Sequence, residues 1–152
     1  MKLIICIAIP LIIGGISGFF TTEAIPTWYA GLQKPSFNPP NWIFGPVWTA
    51  LYVIMGISLY MIVSLPQSAQ RTQATWIFAG QMLLNFGWSF IFFKWQKPSW
   101  AFAEIILLWI SILWMIVSFY KLKPVAGLLQ LPYIAWVSFA SVLNYAIWQL
   151  NK

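Results

Sequence analysis

Apolar residues along this chain gather into long runs separated by short polar breaks, instead of forming the one-sided stripes of a water-soluble helix. A helix needs about 20 mostly apolar residues to cross the hydrocarbon core of a bilayer. Five segments meet that length: residues 3–20, 44–65, 74–93, 99–120 and 125–150. The breaks at 66–73, 94–98 and 121–124 are short, so consecutive helices are expected to be antiparallel neighbours. The pattern predicts an all-α membrane protein, a single domain over residues 1–152 built as a five-helix transmembrane bundle.

The connector at 21–43 differs from the others in length and content. Pro26, Pro35, Pro39 and Pro40 favour extended or turn geometry over helix. The same stretch holds Trp28, Tyr29, Phe37 and Trp42, too much apolar surface for a free tether. It is expected to form an ordered lid over one end of the bundle, since long ordered loops are often functional. A loop lying in the membrane interface is the alternative.

Composition agrees with lipid as the solvent. Hydrophobic residues make up 61% and charged residues 7% of the chain, against roughly 45–50% and 25% in soluble domains. So few charges cannot cover a water-facing surface. The net charge of +6 comes from basic residues scattered singly among apolar runs, which gives no electrostatic footprint for nucleic acid. With the amino terminus on side one, that side carries Lys2, Arg71, Lys121 and Lys123, and the other carries Lys34, Lys94, Lys97 and Lys152. This tie leaves orientation open under the positive-inside rule. The run after Met1-Lys2 is longer than a signal-peptide core and lacks an A-x-A-like cleavage site, so it reads as a retained first helix.

Cys6 is the one cysteine and there is no histidine. No metal site is therefore expected, and no conventional acid–base or nucleophilic centre stands out. Candidate chemistry lies in the tryptophans. Trp28, Trp42, Trp76, Trp95, Trp100 and Trp148 fall near helix ends, where an aromatic belt accounts for them. Trp48, Trp88, Trp109, Trp114 and Trp136 lie deeper; their N–H groups want partners, so they are expected to face other helices or a cavity.

Helical spacing groups these residues. Tyr133, Trp136, Ala140 and Asn144 share one face of the fifth span. Gln81, Asn85, Trp88 and Phe92 share a face of the third, and Trp48, Tyr52, Met55 and Gly56 of the second. Amides in mid-membrane point inward, either to join helices or to line a pocket. Aromatic stripes with a few placed polar groups suit a flat apolar ligand. Glu104 is the one acid within a span, readable as functional or as a carboxylate at a helix N-terminus. Gly14-Gly15-Ile16-Ser17-Gly18 contains a GxxxG pattern for close helix packing, within one chain or between two.

The strings WYAGLQKPSFNPPNWIFGPVWTALY, NFGWSFIFF and LPYIAWVSFASVLNYAIW resemble, in order and over almost the whole chain, the translocator protein family. That family includes tryptophan-rich sensory proteins and the peripheral-type benzodiazepine receptor. The resemblance implies a membrane receptor for tetrapyrroles (porphyrins) that also takes benzodiazepine-site drugs, commonly paired as a homodimer. No further cofactor is required, and a bacterial inner membrane is the expected setting. Carried over by motif, the ligand site includes Trp48, Asn85, Trp88, Trp136, Ala140 and Leu143, with Tyr29, Pro35 and Phe37 in the lid. Bacterial relatives are reported to promote light-dependent breakdown of protoporphyrin, for which Trp48 and Trp136 are the candidate photochemical residues.

The departures from the family pattern also inform. Asn38 and Asn41 stand where mitochondrial members have lid histidines. Tyr145 is followed by no basic residue until Lys152, outside the spacing of the sterol motif, so sterol binding is not expected. Small residues for a dimer seam are sparse around Ala79-Gly80. The alternative function is transmembrane transport of tetrapyrroles or related compounds. No inverted repeat or pair of broken helices supports it, although Pro10 and Pro132 permit kinks. A helix bundle that only assembles with another membrane protein is the third reading.

Overall fold

The structure, a computed structural model, describes all residues 1–152 and is entirely helical. Its helices are α1 (Lys2–Ala24), α2 (Phe44–Val63), α3 (Ala69–Ser89), α4 (Pro98–Leu122), the short α5 (Pro124–Leu128) and α6 (Leu131–Leu150). Five spans are long and apolar enough to cross a membrane, with α5 and α6 together forming the fifth. The chain is a multi-pass integral membrane protein.

Three boundaries differ from the expected spans, each for a local reason. Helix α1 runs on past Phe20 to Ala24, because Thr21 and Thr22 donate their hydroxyls back to the carbonyls of Ser17 and Phe19. Polar residues can thus extend an apolar helix without exposing an unpaired group to lipid. The helix stops just before Pro26, which has no N–H to continue the ladder. Helix α3 begins at Ala69 rather than at residue 74, since Ser68 caps it by accepting the backbone N–H of Arg71 at 3.1 Å. At its far end α3 widens into a π turn over Phe90–Lys94, and Gln96 takes a left-handed φ of 56° before Pro98 opens α4.

The fifth span is broken. Pro132, in the first turn of α6, cannot donate to the carbonyl of Leu128, so Leu129 and Gln130 form a turn between α5 and α6. Ser58 of α2 donates to the carbonyl of Ala126 at 2.5 Å and holds α5 against the bundle.

Helix α1 packs along α2, α3 along α4, and α4 along α6. Gly56 lets α1 and α2 meet closely, because a Cβ there would run into the backbone of Cys6 and Ile7. Met55, Ile62, Ile112, Met115, Phe119 and Val137 fill the interior with no exposed surface. Dispersion and interhelical hydrogen bonds, more than water exclusion, hold such a core together in lipid.

The long connector is ordered and folded against the bundle. Tyr29 is 3% exposed and donates its hydroxyl to Asn38 Oδ1 at 2.8 Å. Burial pushes the Tyr29 phenol up to about 12, with the Asn38 bond opposing that rise. Its ring lies 6.3 Å from Phe92 and 6.0 Å from Phe93, and Lys34 Nζ sits 4.8 Å from its ring centre. Asn151 accepts the Gln33 backbone N–H at 2.9 Å and donates to the Gln33 carbonyl at 2.8 Å. The connector is thereby tied to the end of α6 by both groups of one amide.

Candidate functional site

Neither α1 nor α2 packs extensively against α6, and a cavity of about 490 Å³ occupies the space between them. That volume falls in the range of small-molecule sites, roughly 300–1,000 Å³. Gly14, Gly15, Ser17 and Gly18 line it from α1, and Trp48, Thr49 and Tyr52 from α2. Trp88, Ser89 and Phe93 contribute from the end of α3, and Trp136, Ala140, Leu143 and Asn144 from α6. Ile25, Asn41, Trp42 and Phe44 close the end nearest the connector.

The aromatic walls are braced by contacts among themselves. Trp48 stacks on Tyr52 with ring centres 5.6 Å apart and meets Tyr133 edge-on at 6.4 Å. Trp136 lies 6.1 Å from Phe44 and 5.5 Å from Phe139. Trp88 stacks on Phe92 at 5.4 Å, and its Nε1 donates to Asn144 Oδ1 at 2.9 Å. Asn144 in turn donates to the Pro98 carbonyl at 2.8 Å, so one amide fixes Trp88 and joins α6 to α4. Such an indole presents its flat face with its polar edge already satisfied.

Of the residues singled out from sequence, Trp48, Trp88, Trp136, Ala140 and Leu143 come together on the cavity wall. Asn85 does not line it. That side chain is 1% exposed, accepts from the Tyr52 hydroxyl at 2.8 Å and donates to the Tyr133 hydroxyl at 2.9 Å. Tyr133 in turn donates its hydroxyl hydrogen bond to Gln81 Oε1 at 2.8 Å, which completes a buried chain across α2, α3 and α6. Asn85 therefore supports the wall residue Tyr52 from behind. Tyr29, Pro35 and Phe37 belong to the connector and not to the cavity wall. Phe37 is half exposed, with its ring 6.4 Å from Phe139.

Two deeper tryptophans lie elsewhere. Trp109 donates to Ser138 Oγ at 2.8 Å, whereas Trp114 is 57% exposed on the lipid side, contrary to the inward position expected of it. Glu104 does not line the cavity. Both its carboxyl oxygens are buried without a hydrogen-bond partner, beside the Cα of Gly87 where α3 and α4 meet.

Sequence reasoning missed the α1 wall. Its signal was present in Gly14-Gly15-Ile16-Ser17-Gly18, read there as a packing motif. Gly14 does face protein, against the Tyr52 ring, but a Cβ on Gly15 or Gly18 would meet nothing within 4 Å. Those two glycines open onto the cavity.

Comparison with known proteins bears on what this cavity belongs to. The TspO/MBR family profile matches residues 6–149. The tryptophan-rich protein TspO of Archaeoglobus fulgidus is 45% identical over 152 residues, covering 99% of this chain and 97% of the relative. That of Chlorobaculum tepidum is 40% identical, covering 99% and 96%. The human translocator protein is 38% identical over 126 residues, covering 82% of this chain and 75% of its own length. A profile matched from the first helix to the last, with relatives of this identity among prokaryotes and mammals, means that the chain belongs to the TspO/MBR family.

Proposed function

We propose that this protein is a membrane receptor for tetrapyrroles, binding a porphyrin-like ring in the cavity between α1, α2 and α6. One observation carries the reading: Trp48, Trp88 and Trp136 meet on the wall of a single cavity of about 490 Å³ at the lid end of the bundle. A flat aromatic ligand gains dispersion and stacking from such walls at little conformational cost, because the rings are already braced by their neighbours. The same cavity accommodates benzodiazepine-site drugs. The receptor works as a homodimer in a bacterial-type inner membrane.

Light adds a second step. An excited porphyrin held against an indole passes its energy to dioxygen, and oxidation then consumes the porphyrin and the adjacent ring. Trp48 and Trp136, both on the cavity wall, are the candidate indoles for this step. The ligand supplies the photochemistry and the protein supplies position and confinement. Transport is the weaker reading, since the break between α5 and α6 is not matched by a second broken span.

Titration of the purified protein in detergent with protoporphyrin, in the dark and under light, tests both steps. Saturable tryptophan quenching in the dark is expected, with light-driven porphyrin loss that falls in Trp48→Phe and Trp136→Phe. Quenching that rises linearly without saturation would rule out the receptor. Saturable binding with porphyrin loss unchanged in both variants would remove the photochemical role and leave the receptor.

A further inference from the structure

Several polar groups on the cavity wall are already bonded within the protein. Thr21 donates to the Ser17 carbonyl, Thr22 to Phe19, Thr49 to Gly45 and Tyr52 to Asn85, while Asn144 uses both its groups. Two lining residues stand apart in holding a polar atom that is both buried and unbonded. The hydroxyl of Ser17 is buried and unpartnered, in a side chain only 3% exposed. The indole N–H of Trp136 is also buried and unpartnered.

Ser17 is the more telling of the two. A serine within a helix usually satisfies itself by donating to the carbonyl one turn back. Thr21 does this at 3.1 Å, and Ser138 and Ser141 on α6 do it at 2.7 Å each. Ser17 does not, although it sits in a lipid-spanning helix where an unpaired hydroxyl is costly. On either side of it, Gly15 and Gly18 leave the helix backbone bare toward the cavity, with no atom within 4 Å of where their Cβ would stand. A low floor flanks a hydroxyl that has been left unbonded.

We infer that Ser17 and Trp136 are the polar anchors of the bound ligand, and that the α1 floor of Gly15 and Gly18 seats its edge. This rests on the receptor reading above and names the chemistry that the cavity selects. Trp136 Nε1 is a donor only, so its partner is an acceptor. Both atoms are covered in this structure, so anchoring requires Ser17 to rotate about its Cα–Cβ bond and Trp136 to tilt its ring. No Lys, Arg, Asp or Glu lines the cavity, so an ionised carboxylate inside would have no counter-charge. The favoured ligand is a flat ring system with neutral oxygen acceptors, such as ester or ketone groups, on the edge that enters. Ionised carboxylates of a porphyrin stay outside.

Two porphyrins that share a ring but differ at the edge test this. Protoporphyrin dimethyl ester carries carbonyl acceptors, and etioporphyrin carries only alkyl groups. Each is titrated in the dark, in detergent, against the full chain and its Ser17→Ala, Trp136→Phe and Gly18→Leu variants. The ester is expected to bind the unaltered protein several-fold tighter than etioporphyrin. Ser17→Ala and Trp136→Phe should each weaken the ester by about 2- to 10-fold, the worth of one neutral hydrogen bond, and leave etioporphyrin nearly unchanged. Gly18→Leu should weaken both porphyrins, because its side chain would occupy the floor. Equal affinity for the two porphyrins, or an ester preference undiminished by Ser17→Ala, would overturn the anchors and leave the receptor standing. Equal weakening of both porphyrins by Ser17→Ala would mean a packing role and also overturn them. If neither porphyrin binds saturably, the receptor reading falls as well.

Discussion

Trp88 and Asn144 are joined by a 2.9 Å hydrogen bond from the indole Nε1 to the amide oxygen, linking α3 to α6 at the wall of the cavity. The bond connects two residues that periodicity placed on separate helices. It also explains why an asparagine stands where the membrane would favour leucine, since Asn144 Nδ2 reaches the Pro98 carbonyl at 2.8 Å as well. Asn144→Leu should therefore cost about 1–2 kcal/mol, by orphaning one buried donor and one acceptor. Thermal unfolding in detergent measures that loss. Porphyrin affinity should fall with it, because Trp88 would no longer be held with its face to the cavity. Unchanged stability would mean that the two groups find other partners.

The chain from Tyr52 through Asn85 and Tyr133 to Gln81 predicts an order among conservative substitutions. Tyr52→Phe removes one donor and leaves Asn85 Oδ1 without its bond. Tyr133→Phe removes a hydroxyl that both accepts from Asn85 and donates to Gln81, so it strands two buried groups. Tyr133→Phe should be the more destabilising, by about 1 kcal/mol. The reverse order in a chemical or thermal unfolding series would show that the chain is not read correctly from its geometry.

Lid closure should depend on pH through Tyr29. Burial raises its phenol from 10.0 in the free side chain to about 12, so the neutral form is the one that the closed lid favours. A group whose value is raised in the folded state contributes fully below its unfolded value. That contribution is lost as pH climbs through the folded one. The lid should thus stay closed up to about pH 10 and loosen between 10 and 12. Limited proteolysis between residues 25 and 43 across that window reads the opening. Tyr29→Phe, which cannot ionise, should lose this step while showing weaker closure at neutral pH, because the bond to Asn38 is gone.

The spans were legible in the sequence because lipid allows few alternatives: twenty apolar residues bounded by charges can only cross or be buried. Helix ends were less legible, since Thr21, Thr22 and Ser68 look like loop residues until their hydroxyls are seen bonding to backbone. Periodicity placed Trp48, Trp88 and Trp136 on inward faces, and they do meet at one cavity. It could not separate Asn85 from Asn144, because an amide that braces other side chains and one that lines a cavity both point inward. Nor could spacing assign the glycines of α1. A missing side chain suits a close helix contact and an empty space equally well, and only the neighbouring Tyr52 ring distinguishes Gly14 from Gly15.

That distinction yields the sharpest mutational contrast in the molecule. A methyl group on Gly14 would overlap the Tyr52 ring, which is itself fixed by stacking on Trp48 and by its bond to Asn85. Tyr52 cannot swing away without breaking both, so Gly14→Ala should destabilise the protein by about 1–3 kcal/mol, the usual cost of overpacking. Gly15→Ala and Gly18→Ala meet open space. These two changes should leave stability unchanged or raise it by about 0.5–1 kcal/mol, through the better helix propensity of alanine. Unfolding measurements on the three variants in one detergent provide the test. If all three behave alike, the glycines serve a single packing seam, and the α1 wall of the cavity would have to be given up.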